Sequence, residues 1–112
     1  VLDRQGGPNW FENWCAAPII VDPDTDEVYF TPLYYVMTHF SKYIRPGAEV
    51  IGVKNNNKEL QITAAQNPDG TIAVIVFNEG ETEQNFNLTF NKKSIDIHIN
   101  DQALQTIIIP TN

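Results

Sequence analysis

The chain has 112 residues, enough for one modest core that buries roughly 60–70% of the surface an unfolded chain exposes. Seven Lys and Arg against 14 Asp and Glu give a net charge of −7, which phosphate backbones and anionic lipid repel, so nucleic acid is excluded as a partner class. A single cysteine excludes an intrachain disulfide framework and a Cys-x-x-Cys metal site, and no apolar run reaches the ~18 residues a membrane span needs.

Val1-Leu2-Asp3 reads as the end of an apolar strand already under way, and a start at Val rather than Met favours a piece of a longer chain. Gly6-Gly7-Pro8 then breaks any regular element. Trp10, Phe11 and Trp14 crowd three aromatics into five positions, with Asn9 just before them and Asn13 among them. Cys15 has no histidine near it in sequence, so a small buried hydrophobe is expected there rather than a nucleophile. Pro18 to Asp22 forms a short apolar strand, Pro23-Asp24-Thr25-Asp26 a turn, and Glu27 to Phe30 the returning strand of a hairpin.

A helix over 32–44 follows. Thr31 offers a capping hydroxyl, and Pro32 sits where a missing N–H costs nothing. Leu33, Val36, Met37, Phe40 and Ile44 recur at three- and four-residue steps and give one apolar face. Lys42 and Arg45 suit the negative pole of the helix, and Pro46-Gly47 ends it.

Beyond Glu49 the period changes to two. Val50 to Val53 begins a strand, and Leu60, Ile62 and Ala64 alternate with Gln61, Thr63 and Ala65 as if one face were wet. Asn67-Pro68-Asp69-Gly70 is a turn in which Pro presets the second position and Gly takes the left-handed one. Ile72 to Phe77 is continuously apolar and reads as the central, doubly covered strand, and Asn78 to Glu81 turns again. Phe86, Leu88 and Phe90 alternate with polar residues, as do Ile95, Ile97 and Ile99, and Leu104 to Ile109 closes the chain. Phe77, Phe86 and Phe90 all fall in the apolar phase and are expected in the core. Six such strands predict an antiparallel sandwich, so the whole is mainly β, with domains at 1–47 and 48–112.

Little in the chain can do chemistry alone. No Gly-rich phosphate loop, Gly-x-Ser-x-Gly elbow or metal-ligand spacing occurs, so neither cofactor nor metal is expected. His39 reads as a packed helix residue and His98 as a solvent-facing strand residue. A retaining glycosidase needs two carboxyls about 5–5.5 Å apart. Glu12 is the one acid with pocket-like neighbours, and the others lie in turns or at strand edges, so no catalytic dyad is expected. Asn87-Leu88-Thr89 matches an N-glycosylation acceptor but lies mid-strand, where occupancy is not expected.

The loop of Trp10, Asn13 and Trp14 is the candidate substrate-binding site. Indole faces accept the apolar C–H side of a sugar ring, and amides pair with its hydroxyls. On the residues alone, sugar contact and a structural plug between two domains weigh about equally.

Gly6-Gly7-Pro8-Asn9-Trp10, Asn13, Pro18-Ile19-Ile20-Val21-Asp22 and His39-Phe40-Ser41-Lys42-Tyr43-Ile44 resemble glycoside hydrolase family 30, the glucosylceramidase-like enzymes, over the C-terminal part of that family. Residues 48–112 match it mainly in pattern. The resemblance implies a (β/α)₈ barrel passing into a β-sandwich, and retaining hydrolysis of a β-linked sugar. Residues 1–47 would then be the end of the barrel, with 4–17 its eighth βα loop on the active-site side. Asn13 matches a position lining the glycone pocket and Trp14 an aromatic beside it, where human-like glucosylceramidases carry Phe. The family's two catalytic glutamates belong to barrel strands four and seven, which this chain lacks.

The resemblance therefore implies the C-terminal portion of a retaining β-glycosidase, inactive alone. Its substrate is a β-linked glucoside or oligosaccharide reached through the parent barrel, in a secreted, periplasmic or lysosomal setting. The rest of the barrel would pack on residues 1–47, and without it the bare helix face would drive self-association. The alternative is a stand-alone β-sandwich carbohydrate-binding or interaction module using the same loop, and a purely structural cap is a third reading.

Overall fold

The computed structural model describes residues 1–8, 11 and 15–111, and they form two compact units, Val1–Ser41 and Lys42–Asn112. In the first unit, β1 (Leu2–Asp3), β2 (Ile19–Asp22) and β3 (Glu27–Phe30) make a three-stranded sheet in that order. β1 runs parallel to β2, with Leu2 opposite Ile20 and Asp3 opposite Val21. β2 and β3 form the expected hairpin, Asp22 facing Glu27 across the turn. Asp26 takes the left-handed conformation there, which a short acidic side chain tolerates.

Helix α1 spans Pro32–Tyr43. The Thr31 hydroxyl does not serve as the expected cap. It lies 3.0 Å from the carbonyl oxygens of both Ala17 and Pro18, tying the helix start to the beginning of β2. The Thr31 carbonyl instead accepts the Tyr34 N–H at 2.9 Å. No residue of α1 is buried, and Leu33, Val36, Met37 and Phe40 of its apolar face are all more than a third exposed.

The helix stops one residue before the expected Ile44, and a distant side chain shows why. Asn67 donates from Nδ2 to the Tyr43 carbonyl at 2.9 Å, and its Oδ1 accepts the Arg45 N–H at 2.8 Å. Two backbone groups orphaned at the helix end thus find partners. Asn67 is buried, as a fully hydrogen-bonded amide can be.

The second unit is a six-stranded antiparallel sandwich. One sheet has the order β4 (Glu49–Ile51), β5 (Leu60–Gln66), β6 (Ile72–Asn78), β9 (Leu104–Ile109), and the other pairs β7 (Gln84–Phe90) with β8 (Lys93–Ile99). β4 is shorter than expected, since Gly52 and Val53 lie outside it. Leu60, Ala64, Ile72, Val74 and Val76 meet Ile99 in the core, with Phe86, Leu88, Phe90, Ile107 and Ile109 packed around them. β6 lies between β5 and β9, and Ala73 and Ile75 on its other face are buried too, as a doubly covered strand requires.

Four expectations of burial need correction. Ala65 faces what was expected to be a wet side, yet it is fully buried. Phe77, one residue before the end of β6, is 37% exposed. Ile95 is 50% exposed because it lies near the tip of the β7–β8 hairpin, whose two-residue turn puts Asn91 and Lys92 at positive φ. Cys15 is exposed rather than buried; its backbone lies against Gly6, which has no side chain to interpose.

The Asn67–Gly70 turn closes as expected. Gly70, at φ +88°, donates to the Asn67 carbonyl at 2.9 Å. The Asp69 carboxylate accepts from the Thr71 hydroxyl at 2.6 Å and the Thr71 N–H at 2.9 Å, which holds its pKa below the usual aspartate value. A carboxyl lowered in this way stabilises the fold above its unfolded pKa of about 3.9 and ceases to do so as the pH falls through the folded value. Asp69→Ala should therefore unfold at lower denaturant than the parent at pH 7, with the gap closing as the pH is taken from about 4 toward 2. An unchanging gap in urea titrations across that range would contradict this.

Candidate functional site

The residues expected to touch sugar, Trp10, Asn13 and Trp14, and Glu12 beside them, lie outside the described residues. The chain that leads up to them is tied by hydrogen bonds. The segment leaves β1 at Arg4 and returns to β2 at Ile19, and its first turn is organised by Asp3. The Asp3 Oδ1 accepts the Gln5 N–H at 2.9 Å and the Gly7 N–H at 2.7 Å. Asp3 also donates its own N–H to the Gly7 carbonyl at 2.7 Å, and Gly6 donates to the Asp3 carbonyl at 3.1 Å. One aspartate thus folds five residues into a closed ring, which requires Gly6 at φ +87°.

A second tie crosses the base of the segment. Arg4 Nη1 donates to Asp22 Oδ2 at 3.0 Å. The other Asp22 oxygen, Oδ1, accepts the Asp24 N–H at 3.0 Å. The Asp24 N–H is the largest influence lowering the Asp22 pKa, and the Thr25 hydroxyl and Arg4 pull the same way against burial. Asp22 is therefore an ionised anchor and is unsuited to be a general acid, which needs a raised pKa. Neither its burial nor its pairing with Arg4 was anticipated, because the partners are 18 positions apart.

Phe11 presents its ring outward, 88% exposed and at φ +67°. Cys15 is exposed as well. An apolar hollow of about 330 Å³ is lined by Val1, Pro18, Ile19, Tyr34, Met37, Thr38 and Ser41, a set with no carboxylate or imidazole for acid–base work. Among the described residues no three His, Cys, Asp or Glu gather as a metal site would require, and no helix is long and apolar enough to cross a membrane. His39 is half-buried in α1. His98 is exposed on β8, 3.0 Å from Asn85, and Asn87 is likewise exposed, donating to Asp96 at 2.9 Å.

Comparison with known proteins places both units. Residues 1–44 match the model of the glycosyl hydrolase family 30 TIM-barrel domain, and residues 47–107 that of the glycosyl hydrolase family 30 beta sandwich domain. Putative glucosylceramidase 2 of Caenorhabditis elegans is 33% identical over 97% of this chain and 22% of its own length. The lysosomal acid glucosylceramidase of Mus musculus is 37% identical over 73% of this chain and 16% of its own. The crystal structure of SrfJ from Salmonella typhimurium superposes with a TM-score of 0.94 at 29% identity, over 99% of this chain and 25% of that one. The endo-beta1,6-glucanase BT3312 shares the fold, with a TM-score of 0.82 at 21% identity over 94% of this chain and 24% of its own. The chain thus spans about a sixth to a quarter of the length of these relatives.

Proposed function

The chain belongs to glycosyl hydrolase family 30, and from that premise we propose that it supplies one wall of the sugar pocket and the supporting sandwich of a retaining β-glycosidase. The observation that carries this reading is the order of the two family matches along the chain, barrel end first and sandwich second, with the aromatic and amide segment in the barrel part. Residues 1–47 are the barrel portion in this reading, and 48–112 the sandwich that buttresses it.

Asn13 pairs through its amide with hydroxyls of the glycone, and Trp10 and Trp14 offer indole faces to the sugar C–H surface. The outward ring of Phe11 lies in the same segment and suits the aglycone side. The two carboxylates of the double displacement come from barrel strands outside these 112 residues, so the chain is silent by itself. The exposed apolar face of α1 is covered by the remainder of that barrel. A glucoside is the favoured substrate class, because several relatives carry the name glucosylceramidase. A lysosomal, periplasmic or secreted location accords with the lysosomal relative.

The test uses the whole protein and the 112-residue chain side by side. The whole protein should hydrolyse a chromogenic β-glucoside with retention of configuration, and Asn13→Ala should lower kcat/KM by about tenfold or more. The chain alone should give no turnover. Hydrolysis by the chain alone, or Asn13→Ala turning over at the parent rate, would refute the assignment.

A further inference from the structure

We propose that Asn87 is an N-glycan acceptor, taking an oligosaccharide through its side-chain nitrogen on the outer face of the β7–β8 hairpin. The proposal rests on the secretory or lysosomal location proposed above and on no part of the catalytic reading. Asn87-Leu88-Thr89 is the one Asn-x-Ser/Thr triplet in the 112 residues. A mid-strand place counts against an acceptor where both faces of the strand are packed, and β7 has only one packed face. Phe86, Leu88 and Phe90 pack against the core, whereas Asn85, Asn87 and Thr89, which alternate with them, are exposed.

Residues two apart on a strand share a face, so the amide and the hydroxyl of the triplet stand side by side. The Thr89 hydroxyl donates to Asn87 Oδ1 at 3.2 Å, and the triplet presents both groups to solvent together. Their cross-strand neighbours are short and exposed: Asp96 opposite Asn87, and Ser94 opposite Thr89. The outer positions of the hairpin carry no lysine, arginine or large apolar side chain, so nothing long stands over the acceptor. A face without apolar residues also has no need of a packing partner, and a bulky hydrophilic group can occupy it.

The attachment is compatible with the bonds already present. The donor is an oligosaccharide linked to a lipid pyrophosphate, delivered by an oligosaccharyltransferase to the chain before the sheet has formed. Asn87 Nδ2 displaces the pyrophosphate from the anomeric carbon of the first N-acetylglucosamine. The Nδ2–C1 bond forms, the C1–O bond breaks, the pyrophosphate leaves with its lipid, and the amide gives up one proton. An asparagine nitrogen starts with two hydrogens, so one N–H remains for the 2.9 Å bond to Asp96 Oδ1. Asn87 Oδ1 keeps its lone pairs for the Thr89 hydroxyl. The folded hairpin has only to leave the glycan outside.

The experiment directs the whole protein into the secretory pathway of a eukaryotic host behind a cleavable leader and takes the secreted, folded fraction. Release by peptide-N-glycosidase F in heavy-oxygen water turns an occupied asparagine into a labelled aspartate. Mass spectrometry of the tryptic peptide of residues 59–92 should place the label at Asn87 in most molecules. Release should succeed without denaturant, because the acceptor is exposed, and should move the melting temperature by no more than about 2 °C. Asn87→Gln and Thr89→Val should abolish the label, and Thr89→Ser should retain it at several-fold lower occupancy. An unlabelled peptide in the secreted protein overturns the proposal. So does a label confined to retained, aggregated protein, or one that survives Thr89→Val. Recovery of the natural protein from the cytosol overturns the location, and the labelling result then decides the acceptor separately.

Discussion

Asn78→Leu should be among the most destabilising single substitutions in the sandwich, costing about 3 kcal/mol or more. Asn78 is fully buried at the end of β6. Its Nδ2 donates to the Thr82 carbonyl at 2.8 Å and the Asn100 carbonyl at 3.0 Å, and its Oδ1 accepts the Gly80 N–H at 3.0 Å. One amide therefore satisfies three backbone groups from two different loops. Leucine keeps the branching of the side chain but is larger and leaves all three groups without this partner, where each lost partner costs about 1–3 kcal/mol.

The control is Asn78→Asp, which keeps an acceptor for Gly80 yet turns a carboxylate toward two carbonyl oxygens. It should be at least as damaging at pH 7 as leucine, which a simple loss of volume would not produce. Urea unfolding should show a lower midpoint with an unchanged slope for both variants. Leucine within about 1 kcal/mol of the parent would show that these bonds contribute little.

On the proposed role of residues 4–17 in the sugar pocket, Gly6→Ala should lower β-glucoside turnover by the whole protein by about a hundredfold while leaving the sandwich stable. Two costs coincide at this position. A side chain at φ +87° is strained by roughly 1–2 kcal/mol. A methyl carbon on Gly6 would also lie 2.7 Å from the Cys15 carbonyl oxygen and 3.0 Å from its nitrogen, both backbone atoms. Gly6 and the Cys15 backbone approach closely here, so a side chain at Gly6 forces backbone atoms apart.

Gly7→Ala provides the comparison. Its added carbon would meet only the Asp3 carboxylate, at 3.0 Å, which is the end of a side chain and can shift. Its effect should be far smaller. Equal activities of Gly6→Ala and Gly7→Ala, measured as kcat/KM with a β-glucoside, would show that the close approach at Gly6 does not shape the pocket.

The candidate site was legible in residue types and hidden in its supports. Trp10, Asn13 and Trp14 drew attention by residue type, with sugar contact and a structural plug equally open on the residues alone, and their placement lies outside the described residues. Arg4, Asp22 and Gly6 gave no such signal. An aspartate at a hairpin turn reads as a solvated turn former, and only its partner 18 positions away makes it a buried anchor. The single cysteine shows the converse. Its type suggested burial, but the close packing of its backbone on Gly6 left the thiol outside.

Sequence by itself determined the local elements, because their causes are local. Pro32 and Pro46-Gly47 bracket α1, Pro68 and Gly70 impose the β5–β6 turn, and period-two alternation marks β7. Six sandwich strands followed from the same alternation and turn spacing. Tertiary structure alone decided what each face meets. Ala65 and Ala73 are buried while Phe77, one residue before the end of β6, is partly exposed, and α1 ends at Tyr43, where Asn67 arrives from another turn. Periodicity reports that two faces differ. Which one is dry, and which amide satisfies which carbonyl, depends on contacts between residues more than twenty positions apart, and those exist only once the chain has folded.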